Sequence, residues 1–503
     1  MGKDSTSIDG LKTILLGAGF AAVGLVLSKI FQYGTRAVVA RYDTASYGLF
    51  SIALTTITLA FLLSTLGLDQ AVLFFATKSA EKGDREGVKR VIRRAISIAL
   101  PASVAVAIAL YLGAGWLANA VFRQPDAAPL IAIAALAIPF TVLAMVLAAS
   151  FRALRRIEYE VATRSLVETG ARLAFIVLFL YVLGLGIEGA ALGLALGSLA
   201  AAAMAIYLLY KLFPGGLGFN GKRSPLKEML YFALPLALVA VLYQLIPWIA
   251  MAALSINSDA VQVGVLSAVL PTADIMFLFP IVLFSLFVPA MTKLIVFGKK
   301  TEARATFTHL TKWSLMGQLP IAILIIYYSA QLLSALFGPA YAAGSSALVL
   351  LAAGYFIHAL FLPSLIVLQI REKPLLVLAS IAVGVVLSLV LSYGLAPGYG
   401  ILGVSAGAAA AMACYGIVGG IFAKREYGVQ IFSHYHYRVL AASLVAFAVL
   451  TQADKLITNH ALWELGFLAL VYAIVYIPAL WLLGGLEEND IALLHAIRKK
   501  AGL

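Results

Sequence analysis

One cysteine, Cys414, is all the thiol chemistry in the 503-residue chain, so an internal disulfide and a thiolate-bound metal cluster are both excluded. Charge is scarce as well: Asp, Glu, Lys and Arg make up 12% of the residues, against roughly 25% in a typical soluble domain. A chain this poor in charge could not cover its surface in water. There is no Gly-Lys-Ser/Thr loop of the kind that cradles a nucleotide phosphate, which excludes ATP hydrolysis by that route. No His/Asp/Glu cluster has metal-ligand spacing, and no cofactor is implied. Polar stretches are short, leaving no room for a soluble catalytic domain or a long outer loop holding an acid pair.

What remains is apolar. Hydrophobic residues reach 63% and mean hydropathy is +1.00. Segments long enough to cross a bilayer fall at approximately 13–40, 45–75, 91–113, 127–150, 162–184, 187–210, 228–254, 260–292, 311–333, 341–369, 374–396, 400–423, 438–456 and 461–484. Backbone groups in hydrocarbon must be satisfied within the segment, and without alternating barrel strands only helices do this. The expectation is an all-α, polytopic membrane protein of about fourteen transmembrane helices. Residues 11–40 read as the first span rather than a cleaved signal, because the apolar run is too long and lacks a cleavage site.

The net charge of +13 does not indicate nucleic acid, because its placement is that of a membrane protein. Basic residues gather in alternate loops: Lys78 to Arg94, Arg152 to Arg164, Lys211 to Lys227, Lys293 to Lys312, Arg371 with Lys373, Lys424 to Arg438, and Arg498 to Lys500. The intervening loops hold only Arg41, Arg123 and Lys455. The positive-inside rule then puts both termini in the cytoplasm, with the chain in the cytoplasmic membrane and membrane lipids against its basic loops.

An internal repeat runs through these spans. Asp43-Thr-Ala-Ser-Tyr-Gly48-Leu-Phe-Ser51 aligns with Asp259-Ala-Val-Gln-Val-Gly264-Val-Leu-Ser267 at an offset of 216. Leu117 and Phe122 match Leu332 and Phe337, Arg155 matches Arg371, and Gly189/Gly193 match Gly403/Gly407 at nearly the same offset. Six spans separate the copies, so they share one orientation, as in transporters built from parallel repeats. The expected organisation is an N-terminal tail (1–10), a six-helix lobe (11–212), a Pro/Gly-rich linker (213–227), a second six-helix lobe (228–425), two extra helices (426–484) and a C-terminal tail (485–503).

Ionisable residues inside spans are costly and mark cavities or partners. Lys29, Gln32, Tyr33 and Arg36 fall at i, i+3, i+4 and i+7, one polar stripe on the first helix. It reads as a cationic cavity wall, the alternatives being an internal ion pair for Lys29 and snorkelling for Arg36. Asp69 in the second span suits either pairing with Lys29 or Arg36, or binding a coupling cation. Arg164, Glu168 and Arg172 repeat at i, i+4 and i+8, the spacing of intrahelical ion pairs; the stripe is self-neutralised structure or a cavity wall. In the second lobe Asp274 and His358 stand alone, His358 as a packing residue or a proton carrier. Leu245 and Ala252 occupy the positions matching Lys29 and Arg36, so the cationic face is not duplicated. Pro235, Pro247, Pro271, Pro280 and Pro289 are expected to bend the seventh and eighth spans.

The segment Arg41-Tyr-Asp-Thr-Ala-Ser-Tyr47-Gly48-Leu-Phe-Ser51, with Ser64-Thr-Leu-Gly67-Leu68 and the Gly189/Gly193 and Gly403/Gly407 pairs, resembles Wzx-type polysaccharide exporters. These belong to the multidrug/oligosaccharidyl-lipid/polysaccharide (MOP) exporter superfamily. Phe74 and Phe75 stand where such proteins often carry a basic residue. The resemblance implies a transporter, not an enzyme, that flips a polyprenyl-(di)phosphate-linked glycan outward by alternating access through a cationic inter-lobe cavity. Lys29, Gln32, Tyr33, Arg36 and Arg172 would bind phosphate and sugar; Asp69, Glu168, Asp274 and His358 would couple H+ or Na+ or balance charge. A multidrug cation antiporter, a peptidoglycan-precursor flippase and, less well suited, a membrane glycan polymerase or ligase are the competing readings.

Overall fold

A computed structural model describes residues 24–218, 226–429, 434–457 and 462–486. The expected tail 1–10, the start of the first span, linker residues 219–225 and the tail beyond residue 486 lie outside them. Among the described residues all regular structure is helical. In chain order the α-helices are α1 (24–42), then α2 (Thr44–Thr65), α3 (Leu68–Glu81), α4 (Arg85–Trp116), α5 (Ala127–Ala135), α6 (Ala137–Ala153), α7 (Ile157–Glu160), α8 (Thr169–Val177) and α9 (Gly186–Leu212). They continue with α10 (Leu226–Asn257), α11 (Ala260–Ala273), α12 (Leu278–Val296), α13 (Lys300–Tyr327), α14 (Ser329–Phe337), α15 (Ser345–Ile370), α16 (Pro374–Tyr427), α17 (His434–Asp454) and α18 (Leu462–Leu482).

Among the described residues, eleven helices are long and apolar enough to cross a membrane, or up to twelve if α5 and α6, bent by 41°, form one span. The expectation was about fourteen. Two features bear on the difference: α1 enters from residues outside the description, and α16 runs for 54 residues through a non-helical Gly400 (φ 51°, ψ −126°). That glycine falls where the sequence places the boundary between two spans.

Other expected spans are interrupted. The second span divides into α2 and α3 at Leu66 and Gly67, both left-handed (φ 53° and 69°). A Cβ on Gly67 would lie 2.6 Å from the carbonyl oxygen of Ala233, so only glycine allows the turn and the approach of α10 together. The eighth span contains Pro271 in α11 and then tightens into a 3₁₀ turn, Asp274–Phe277, before α12 resumes.

The chain forms two compact units, residues 1–268 with 381–408, and residues 269–380 with 409–503. The first unit's interior is small-residue helix packing: Ala53, Ala71, Ala95, Ala134, Ala144 and Ala191 are each fully buried or nearly so. Small side chains let backbones come close, which replaces the hydrophobic drive absent between helices in lipid. In the second unit, α17 and α18 bury Val439, Ala442, Ala446, Leu468 and Tyr472 with Leu315 and Leu319 of α13. The hydroxyl of Tyr476 donates to the Met316 carbonyl at 3.1 Å, and Ser443 is hydrogen-bonded to Tyr472.

The two repeated Asp…Gly blocks take the same local structure and meet. Asp43 caps α2 by accepting from the Ser46 amide at 2.7 Å; Asp259 accepts from the Gln262 amide at 3.0 Å. The Ser46 amide holds the exposed Asp43 carboxyl below the ordinary aspartate value. That support is complete above the ordinary range and is lost as pH falls through the lowered value. Between the blocks, Gly48 lies against the backbone of Ala260 and Gly264, while Gly264 lies against the carbonyl of Thr44. The Tyr47 hydroxyl donates to the Ser267 carbonyl at 3.0 Å, locking the pair.

Any Cβ at Gly48 or Gly264 would overlap backbone rather than a movable side chain. Gly48→Ala and Gly264→Ala are each expected to cost about 1–3 kcal/mol by overpacking. Gly113→Ala, in open space on α4, is expected to be neutral or stabilising by up to about 1 kcal/mol. Thermal unfolding of the detergent-purified variants checks this contrast.

A candidate cationic site on the first and fifth spans

The fifth span, Ile157–Val182, is not a regular α-helix. Val161–Glu168 and Leu178–Val182 are π-helical, with α8 between them. Such widened turns inside helices occur frequently at functional sites. Here the first carries Arg164 and Glu168. Glu168 Oε2 meets Arg164 Nη1 at 3.0 Å and its Oε1 meets Arg172 Nη2 at 3.0 Å. The Glu168 side chain is only 7% exposed, Arg172 20% and Arg164 31%. One carboxylate therefore neutralises one of two guanidinium groups, and the expected i, i+4 pair proves to be half of a bridge.

The backbone beneath Arg172 is set by α9. A Cβ on Gly197 would lie 2.7 Å from the Arg172 Cα, and one on Gly193 would lie 2.7 Å from Ile176 Cγ1. These glycines, one turn apart, make the groove into which the fifth span settles. Next to Gly197, Ser198 Oγ accepts from Arg172 Nη2 at 3.4 Å and from Thr141 Oγ1 at 3.0 Å, and donates to the Leu194 carbonyl. Ser198 and Thr141 were not singled out from the sequence. Nothing in local spacing joins Ser198 to a residue 26 positions away, or Thr141 to a residue 57 positions away.

α1 runs along the same span. Gly24 faces Val161 and Ser165, Phe31 faces Gly170, and Gly34 faces Leu173; further on, Tyr181 donates to the Val38 carbonyl at 2.9 Å. The α1 residues against the fifth span share one face, and at about 100° per residue Lys29, Gln32, Tyr33 and Arg36 centre on the opposite face. Arg36 reaches the Tyr47 hydroxyl and lies close enough to Arg172 for the two like charges to act on each other. Lys29 and Tyr33 are half-buried on α1, and the exposed Gln32 donates to Ser28 Oγ at 2.9 Å. The cationic wall so formed holds Arg36, Arg152, Arg164 and Arg172 with the carboxylates of Glu160 and Glu168. Its excess positive charge suits an anionic group with several oxygens, since guanidinium groups bind phosphate in a fixed fork.

The remaining expected site residues lie elsewhere. Asp69 is buried in the first turn of α3, where the helix dipole favours an anion, and accepts from Gln70 Nε2 at 2.7 Å. No Lys or Arg nitrogen approaches it within 4.0 Å among the described residues, so its pairing with Lys29 or Arg36 is replaced by this amide. In the second unit Asp274 is exposed on the 3₁₀ turn. His358 is buried on α15, stacked on Tyr415 at 4.5 Å with the edge of Phe277 at 5.3 Å. Lys312, counted among loop cations from the sequence, is buried inside α13 with Nζ 5.0 Å from the Tyr435 ring centre. Its neighbours Phe307, Leu310, Leu315 and Gln318, also buried on α13, were the periodic signal for a helix starting earlier than expected.

Glu168→Gln keeps the side-chain volume and leaves two guanidinium groups without their anion. The expected loss is roughly 3 kcal/mol, the low end for breaking a buried pair because both arginines keep some access to solvent. Glu168→Gln combined with Arg172→Gln should lose less than the single change, and thermal unfolding of the four-member cycle measures the coupling. Equal losses in the single and double variants would remove the bridge as a source of stability.

By fold the chain is similar to several solved transporters. It matches the lipid II flippase MurJ in an inward closed conformation with a TM-score of 0.68 and 15% identity, covering 92% of this chain and 97% of that one. An inward-facing multidrug resistance MATE family transporter of the MOP superfamily matches with 0.65 and 15%, over 80% and 94%. A MOP superfamily transporter from Pyrococcus furiosus, described by the reverse polarity of its binding pocket, matches with 0.62 and 18%, over 83% and 95%. A sequence comparison with curated proteins finds no match. A family profile described as polysaccharide biosynthesis protein matches residues 14–295, which include α1, the fifth span and the whole cationic wall. The chain is an integral, multi-pass membrane protein with the MOP transporter fold, and it belongs to the polysaccharide biosynthesis protein family.

Proposed function

We propose that the protein is a flippase that moves a polyprenyl-(di)phosphate-linked oligosaccharide from the cytoplasmic to the outer leaflet by alternating access. The observation that carries this reading is the cationic wall, where Arg36, Arg152, Arg164 and Arg172 outnumber the carboxylates of Glu160 and Glu168. A diphosphate-sugar headgroup entering hydrocarbon unaided meets a desolvation cost on the order of tens of kcal/mol by idealised Born estimates. Fixed guanidinium and ammonium groups supply counter-charge along the way, while the polyprenyl tail stays in lipid. Lys29, Arg36 and Arg172 take the phosphate, and Gln32 and Tyr33 hydrogen-bond to the adjoining sugar. Glu168 tempers the wall's charge, so that cargo can leave as well as bind.

Transport alone is required of the chain, with no covalent step on the cargo and no cofactor. Asp69, Asp274 and His358 are the candidates for coupling to H+ or Na+. Both termini are assigned to the cytoplasmic side of the cytoplasmic membrane on the distribution of basic loops. A peptidoglycan precursor is the second cargo to consider, because the fold resembles that of a lipid II flippase and the same wall would serve its diphosphate.

The test is translocation of a fluorescent polyprenyl-diphosphate oligosaccharide in proteoliposomes. Wild-type protein should move it, and Lys29→Ala with Arg36→Ala should lower the rate at least tenfold while the helical signal and elution volume are unchanged. Unaltered transport in that variant would discard the site and keep the function. Absence of glycolipid transport together with export of a cationic dye would replace the flippase with a drug antiporter.

A further inference from the structure

The second unit contains a basic cavity away from the wall described above. It has a volume of 160 Å³ and is lined by Lys300, Arg304, Arg371, Glu426 and Tyr427 together with apolar residues. A single water requires only about 10–15 Å³ of such space, so a group the size of a phosphate fits. The three cations come from two places in the sequence: Lys300 and Arg304 from the first turns of α13, and Arg371 from the turn after α15. The one lining carboxylate, Glu426, is within 4.0 Å of Lys373 Nζ, which is not part of the lining. The cavity is therefore left with an excess of positive charge.

Its geometry is built rather than incidental. Arg304 Nε donates to the Tyr427 carbonyl at 3.0 Å, and Gly428 at the end of α16 is left-handed with the Arg304 guanidinium against it (φ 61°). The Arg371 guanidinium lies over the Tyr427 ring, 4.9 Å from its centre. Arg371 Nε is buried and meets no hydrogen-bond acceptor among the described residues. A buried, charged N–H without an acceptor is expensive, and a phosphate oxygen is the acceptor its fork geometry fits best.

The rest of the lining is apolar, with Met291, Ile295, Phe307, Val367 and Val429. The cavity lies on the side of the chain where the basic loops gather, the side expected to face anionic lipid, and this favours a lipid headgroup over a soluble anion.

We propose that this cavity binds the phosphate of an anionic phospholipid headgroup, with Lys300, Arg304 and Arg371 as its ligands. The assignment does not depend on what the protein transports. A related cavity in the first unit, 350 Å³ and lined by Arg85, Arg156 and Phe213, occupies the repeat-equivalent place, with Lys89 over the Phe213 ring as Arg371 is over Tyr427.

Native mass spectrometry of the full chain, delipidated and titrated with phosphatidylglycerol or phosphatidylcholine, tests the proposal. The probe variant is K300Q/R371Q, which leaves Arg304 to hold the Tyr427 backbone. The control is K78Q/R94Q, an equal charge loss at exposed positions on the same loop side and outside the cavity. Wild type and control should retain phosphatidylglycerol over phosphatidylcholine, and the probe variant should bind it roughly 10- to 30-fold more weakly, the size expected for two cations near an anionic headgroup. If the probe variant is poorly folded, K300R/R371K must still retain phosphatidylglycerol. Failure of that variant, equal retention by K300Q/R371Q, or an equal loss in the control each overturns the site. A thermal-shift arm with inorganic phosphate separates the sources: stabilisation equal to that from phosphatidylglycerol would overturn the lipid assignment in favour of a soluble phosphate.

Discussion

A guanidinium group inside a bundle of apolar helices must find an anion or acceptor at hydrogen-bond distance, because the surroundings supply no water to replace it. Glu168 meets that requirement for Arg164 and Arg172 at once, 3.0 Å from each. Much of the first unit's local architecture follows from keeping this bridge in place. The π-helical turn brings Arg164 and Glu168 onto one side, Gly197 lets α9 come against the Arg172 backbone, and Ser198 takes the guanidinium N–H that Glu168 leaves over. Glu160, paired with Arg152, is a second carboxylate of the span, and Arg36 stands close enough to Arg172 for their charges to act on each other.

Close approach of backbones is the second constraint. Hydrophobic burial does not draw helices together when the alternative solvent is lipid, so packing depends on shape. Gly48 and Gly264 sit against each other's helices, and Gly189, Gly193 and Gly197 form a groove on α9. Elsewhere glycine has a conformational purpose: Gly67 turns α2 into α3, and Gly400 breaks α16. The same residue type thus brings helices together at some positions and interrupts them at others, according to whether its φ is negative or positive.

Cations in this chain serve at least two distinct settings. Arg164 and Arg172 lie within the fifth span and meet a buried carboxylate; those of the 160 Å³ cavity stand at helix ends, over a tyrosine ring and a backbone carbonyl. Lys312 makes a third arrangement, buried in α13 with its ammonium over Tyr435. Each has a different partner for its charge, which is why a count of basic residues carries little information about role.

The sequence by itself determined the class of the protein and much of its local order. Composition and hydropathy required helices in a membrane, since no other structure satisfies backbone groups there. Local spacing was enough for the polar stripe of Lys29, Gln32, Tyr33 and Arg36 and for Arg164, Glu168 and Arg172 as ion-pair partners, because these depend only on residues three to eight positions apart. The tertiary structure alone decided the rest. It broke the second and eighth spans, buried Lys312, and brought Ser198, with Thr141 bonded to it, to Arg172. Each of these depends on which helix lies alongside which, and at what distance. Hydrophobic periodicity cannot encode that when nearly every face of every helix is apolar; it is settled by small residues and paired charges meeting across the bundle.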